Sequence, residues 1–195
     1  MKKTLAIILT LTLALTLAAC AVKQPSDSAS DATQDSAPVA SAKELLDTVW
    51  NTYTDDEKFP AAGGDYSEEN MTDDAPGNYS IADKSELDRV FGLSSDAAEQ
   101  VDDAASIGHM MNANTFTCGA FHLKDGADIA VLAESTRQNI QSRQWMCGFP
   151  DKLTIVSVGN YLVTMFGAED LVDTFTAKLT AAFSTAQILA DEAIA

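Results

Sequence analysis

Three cysteines, two histidines and a His-Met-Met run carry most of the reactive side-chain chemistry in this 195-residue chain. Cys118 and His122 lie four residues apart in the stretch TFTCGAFHLK. In an extended strand they share a face, but at about 3.3 Å per residue they are separated by roughly 13 Å. That is too far for the hydrogen-bonded pair that activates a cysteine nucleophile. His109 reaches Cys118 only through tertiary folding. His109, Met110 and Met111, taken with Cys118 and His122, offer imidazole, thioether and thiolate groups, which suit Cu(I). If 106–112 is extended, however, Met110 faces away from His109 and Met111, and methionines beside a strand usually fill core space. The abundant acidic residues supply carboxylate pairs of the kind glycosidases use, and that abundance is why none is diagnostic. The chain has no Gly-rich phosphate loop, no nucleophile elbow and no zinc-spaced His/Cys cluster. The sequence therefore assigns no catalytic, metal-ligating or cofactor-binding residue.

The third cysteine has a different setting. Met1-Lys2-Lys3 precedes an apolar run from Leu5 to Leu17, which ends in Ala18-Ala19-Cys20. A basic start, a short apolar run and small residues make a secretory signal. The run has 13 residues, short of the roughly 20 needed to span a bilayer. Leu17-Ala18-Ala19-Cys20 resembles the lipobox of bacterial prolipoproteins. The resemblance implies cleavage before Cys20 and lipidation of its thiol, which would hold the protein on the extracytoplasmic face of the cell membrane. Each buried methylene contributes about 0.8 kcal/mol, so two or three acyl chains make a stable anchor. The expected organisation is a signal peptide over 1–19, a lipidated Cys20 with a tether over 20–40, and a single domain over 41–195. The segment AVKQPSDSASDATQDSAPVA has no apolar periodicity and reads as a disordered tether.

With Cys20 acylated, Cys118 and Cys147 remain as an even pair in an oxidising location. Two readings stand: a disulfide, if a helix end carrying Cys147 overlies the strand centre at Cys118, or two buried free thiols.

The formal net charge is −17, and it is unevenly spread. Residues 55–103 hold 15 Asp or Glu against Lys58, Lys84 and Arg89. Such a surface excludes nucleic acid and anionic lipid headgroups as partners. It reads either as a solvated face or as a docking face for a basic partner.

Several elements are predicted by pattern. Ser41-Ala42-Lys43-Glu44 has capping-box spacing, followed by a helical stripe of Ala42, Leu45, Leu46, Val49, Trp50 and Tyr53. Trp50 on that stripe reads as core. From Thr54 to Ser80 the periodicity fails, and Pro60, Gly63-Gly64 and Pro76-Gly77 punctuate an acidic connection. A loop of that length is mobile or functional, and its acidic spacing does not match a calcium loop. Asp83 and Ser95 open two further short helical stretches, the first stopped by Gly92 and the second running through Val101; 106–112 is ambiguous between strand and loop. A strand over 115–124, a helix over about 127–147, a hairpin around Gly159-Asn160 and a last helix with a stripe from Leu171 to Ala186 complete the chain. This order predicts an α+β fold: N-terminal helices, then β-α-β-β-α in a ferredoxin-like split arrangement. The sheet is expected to be antiparallel, three- to four-stranded, with helices packed on one face.

Four stretches in this order resemble an uncharacterised family of small lipoproteins of Gram-positive anaerobes, described only as a domain of unknown function. They are Phe91-Gly92-Leu93, MMNANTFTCGAFHLKDG at 110–126, the helix end at Trp145 with Pro150 beyond it, and VSVGNYLVTMFGAEDLVDTF at 156–175. Cys118 and Cys147 depart from that family's pattern, and the family implies no activity. The functional expectation is a lipid-anchored binding or accessory protein. Its partners would be the membrane, through Cys20, and an envelope protein or small ligand, met through the acidic segment 54–80. The alternatives are a surface hydrolase using carboxylates and a thiol-redox accessory using Cys118 and Cys147.

Overall fold

The structure is a computed structural model that describes residues 39–146 and 148–195. The leader, Cys20, the tether up to residue 38 and Cys147 lie outside the described residues. Among the described residues no helix is long and apolar enough to cross a membrane.

Helix α1 (Ala42–Trp50) starts where the capping box predicts. Ser41 accepts a hydrogen bond from the Glu44 amide at 3.1 Å, and the Glu44 carboxylate reaches back to the Ala40 N–H at 2.8 Å. The acidic segment that follows is ordered, with three short strands, β1 (Ala61–Gly63), β2 (Thr72–Asp73) and β3 (Gly77–Asn78). Helix α2 (Lys84–Phe91) is capped by Asp83 and ends at Gly92, whose φ of +79° suits glycine. The short helix α3 (Ser95–Ala98) stops before Val101, and the ambiguous 106–112 stretch resolves as the end of strand β4 (Val101–His109). Strand β5 (Phe116–Leu123), helix α4 (Ile129–Gln141) and the hairpin of β6 (Lys152–Val158) and β7 (Tyr161–Gly167) follow. Helix α5 (Glu169–Ala182) and strand β8 (Ala186–Ala193) close the chain.

The strands form one antiparallel sheet in the order β2-β1-β4-β5-β7-β6-β8, with β3 also pairing β4. Strand β7 lies between β5 and β6, as the crossover from β5 through α4 to β6 predicts. The sheet has eight strands rather than three or four. Two additions account for this: the acidic arm extends one edge, and AQILADEA pairs with β6 instead of continuing α5. That last segment has helix-forming composition, but the open edge of β6 supplies ladder partners that override local propensity.

The expectation of helices on one face is also corrected. Every residue of β7 is buried. Tyr161, Val163 and Met165 pack with α1 and α5, whereas Leu162 and Phe166 pack with α2, α3 and α4. Runs such as LTIVSV and YLVTMF are apolar at both parities, the pattern of a sheet covered on both sides. Helices α4 and α5 accordingly take opposite faces. Gly119 makes this possible on the α2 side, because a Cβ there would stand 2.6 Å from the Phe121 ring and 2.7 Å from that of Phe91.

Candidate functional site

The arm 61–80 makes a concavity with the sheet. Its β1 pairs Ala61 with His109 and Ala62 with Gly108, while β3 pairs Gly77 with Ser106 and Asn78 with Ala105. Glycines let these backbones meet. A Cβ on Gly64 would lie 2.0 Å from the Asn70 carbonyl oxygen, and one on Gly77 would lie 2.6 Å from the same atom. Ser106 locks the crossing: its hydroxyl accepts from the Gly64 amide at 3.0 Å and donates to the Gly64 carbonyl at 3.1 Å.

Asp65 organises the next turn. One carboxylate oxygen accepts from the Ser67 amide and hydroxyl at 3.1 and 2.6 Å, and the other accepts from the Asn70 side chain and the Ser80 amide at 2.8 and 3.0 Å. Burial alone would raise its pKa, but these hydrogen bonds outweigh it and lower the carboxyl to about 2. The turn holds Tyr66 in the left-handed region at φ +61°, a conformation that costs a bulky residue on the order of 1–2 kcal/mol. Tyr66 is nonetheless 65% exposed. The strained turn thus presents an aromatic ring to solvent.

Between the arm, α2 and the sheet lies a cleft of about 120 Å³. Ser106, Gly108 and Thr117 contribute the sheet side, Tyr79 and Phe91 a buried aromatic wall, and Tyr66 the mouth. Tyr79 meets Phe91 edge-on with ring centroids 4.8 Å apart. The sheet-side hydroxyls are already bonded, that of Thr117 donating to the Ala113 carbonyl at 2.8 Å, so this surface behaves as apolar. Arg89 borders the cleft and donates from Nε to Glu86 at 2.9 Å, with a second contact between the same side chains. Burial chiefly, then Glu86, push the Tyr79 phenol up; Arg89 opposes them, and Asp65 adds a smaller push in the same direction as Glu86. At the cleft edge, His109 stacks on Phe59 with centroids 5.9 Å apart. A second, more open hollow of about 220 Å³ near Asn114 is larger, but its one aromatic residue is the exposed Phe149, against the buried Tyr79–Phe91 pair of the first cleft. The Asn114 amide there is engaged by the Met146 and Gly148 carbonyls at 2.8 and 3.1 Å. The smaller cleft is therefore the better candidate.

The residues singled out from sequence are placed as follows. Cys118 is a fully buried free cysteine on the α1–α5 face, and burial pushes its thiol up. The pairing weighed with Cys147 falls on a residue outside the described ones, as does lipidated Cys20. His122 is engaged on both ring nitrogens, by Asp102 at Nδ1 and by the Asn160 side-chain amide at Nε2, which leaves neither open for general-base work. The register pairs His122 with Asp103, six residues before His109, which puts the histidines at opposite ends of β4, roughly 20 Å apart. The Cu(I) set of imidazole, thioether and thiolate is thus not assembled. Among the described residues no group of three His, Cys, Asp or Glu side chains could hold a metal. Met110 and Met111 are exposed rather than core filler, and Trp50 is core, its indole N–H donating to the Asp74 carbonyl at 2.8 Å.

Sequence reasoning missed Tyr66, Tyr79 and Arg89. The signal for them was Gly63-Gly64 and Pro76-Gly77, read as loop punctuation, whose close contacts fold the arm on itself. Compared with known proteins, the chain matches no family model, no curated protein and no solved structure.

Proposed function

We propose that the protein is a lipid-anchored, extracytoplasmic binding protein of the Gram-positive lipoprotein type and that the cleft behind Tyr66 receives its ligand. The single observation that carries this reading is the arm, whose strained turn presents an exposed aromatic ring over a preformed, mostly apolar concavity. A dry apolar cavity of about 150 Å³ holds a benzene ring, so a cleft of about 120 Å³ suits one ring-sized or similarly compact group. The described residues begin at Val39, whose carbonyl accepts from the Tyr161 hydroxyl at 3.5 Å. Tyr161 pairs with His122, at the end of the sheet opposite His109.

The rival readings draw less support. Each pKa shift resolved for a carboxylate among the described residues is downward, whereas a glycosidase acid needs its carboxyl raised. A thiol-redox role needs an accessible thiolate, and Cys118 is fully buried. The cleft reading is tested by thermal-shift screening of ring-sized fragments against the full chain. Hits should vanish in Tyr66→Asn, which removes the ring yet tolerates the left-handed backbone. Hits that persist unchanged in that variant would place binding elsewhere.

A further inference from the structure

The charge around the cleft specifies more than its size does. Tyr66, Tyr79 and Phe91 are three aromatic side chains lining one small space. Their ring faces carry negative quadrupoles, which attract a cation within about 6 Å. Two carboxylates, Asp65 and Glu86, act on Tyr79, against the single guanidinium of Arg89. Arg89 is itself bonded to Glu86, which offsets its charge at the wall. Beyond the cleft, the 15 acidic residues of 55–103 face only three basic ones, so the surrounding field draws cations in and repels anions. On the sheet side the hydroxyls of Ser106 and Thr117 are already bonded and offer a ligand no free donor.

We infer that the cleft binds a small organic cation, a methylated or quaternary ammonium group, between Tyr66 and the Tyr79–Phe91 wall. This inference rests on the cleft being the binding site. The quaternary ammonium group is compact, weakly hydrated and without N–H donors, so it needs aromatic faces and nearby negative charge rather than hydrogen-bond acceptors. No bond is made or broken.

Choline, its neutral isostere 3,3-dimethylbutan-1-ol and benzoate, titrated against the full chain by calorimetry at low and moderate salt, test the inference. Choline should bind at least tenfold more tightly than the isostere and weaken as salt rises. Tyr66→Asn should weaken choline roughly fivefold to thirtyfold, whereas Tyr66→Phe should retain it. Equal binding of choline and the isostere would overturn the cation inference and leave the cleft reading standing. Tighter binding of benzoate would reassign the site to an anion at Arg89. Binding of choline that ignores Tyr66→Asn, or no binding of any probe, would remove the cleft reading along with the inference.

Discussion

Replacing Gly64 with alanine should release the arm while leaving the rest of the sheet folded. The backbone at Gly64 has φ +91°, where a Cβ costs about 1–2 kcal/mol. That Cβ would also stand 2.0 Å from the Asn70 carbonyl oxygen and 3.2 Å from that of Asn78. Both obstacles are backbone within the arm itself, so the arm must reopen internally rather than a side chain rotate, and the Gly64 backbone shifts off Ser106. Separation breaks the two hydrogen bonds between Ser106 and Gly64, each contributing about 1 kcal/mol. The expected loss is about 3–4 kcal/mol, and it should appear locally, because β1 and β3 are short and lie at the sheet edge. Hydrogen exchange followed by mass spectrometry reads this directly. At 1.4 kcal/mol per tenfold, peptides over 62–80 should exchange roughly 100-fold faster or more, while peptides of β5, β6 and β7 keep their protection. Unchanged protection of the arm, or a uniform loss across every strand, would refute this account of how the arm is held.

Four further outcomes follow from the same structure. Asp65 has a folded pKa of about 2 against an ordinary 3.8; the stability it contributes is present above pH 3.8 and lost as pH falls towards 2, so urea midpoints across this range should show an acid limb that Asp65→Asn reduces. Gly119→Ala, which drives a methyl into Phe91 and Phe121, should cost about 1–3 kcal/mol of global stability in denaturant unfolding. Under reducing conditions Cys118 should resist alkylation in the native chain and react once unfolded, as peptide mapping would record. Cys20→Ala should abolish both the cleavage before residue 20 and the added acyl mass, read by mass spectrometry of protein extracted from membranes.

The helix starts were legible in the sequence because capping is local. Ser41 and Asp83 each cap with their own side chains, and Gly92 stops α2 for a reason readable in one residue, whereas the Asp128 cap of α4 was not read. The placement of β7 between β5 and β6 was legible too, since crossover geometry restricts the alternatives. What escaped was decided by distant partners. The apolar stripe of the last helix reads on to Ala186, where β6 instead offers an edge to β8, and α4 ends at Gln141, earlier than its apolar stripe suggests. The arm escaped for a related reason: its glycines serve contacts with Asn70 and with one another, which no periodicity encodes. Tyr66 and Tyr79 become a wall only once those contacts fold the arm, so the cleft could not be read before the fold. The Asp102–His122–Asn160 contact likewise depends on the register shift between Val101 and Asp103, which turns Asp102 toward His122.

The central claim, that the arm-built cleft is the binding site, is tested most directly by mapping amide chemical shifts of the full chain in detergent during titration with phenol and then with tetramethylammonium. The account predicts saturable shifts at Gly64, Tyr66, Tyr79, Arg89 and Gly108, with the amides near His122 and Asn160 unmoved. Shifts confined to the hollow around Asn114, Gly148 and Phe149, or none at any residue, would contradict it.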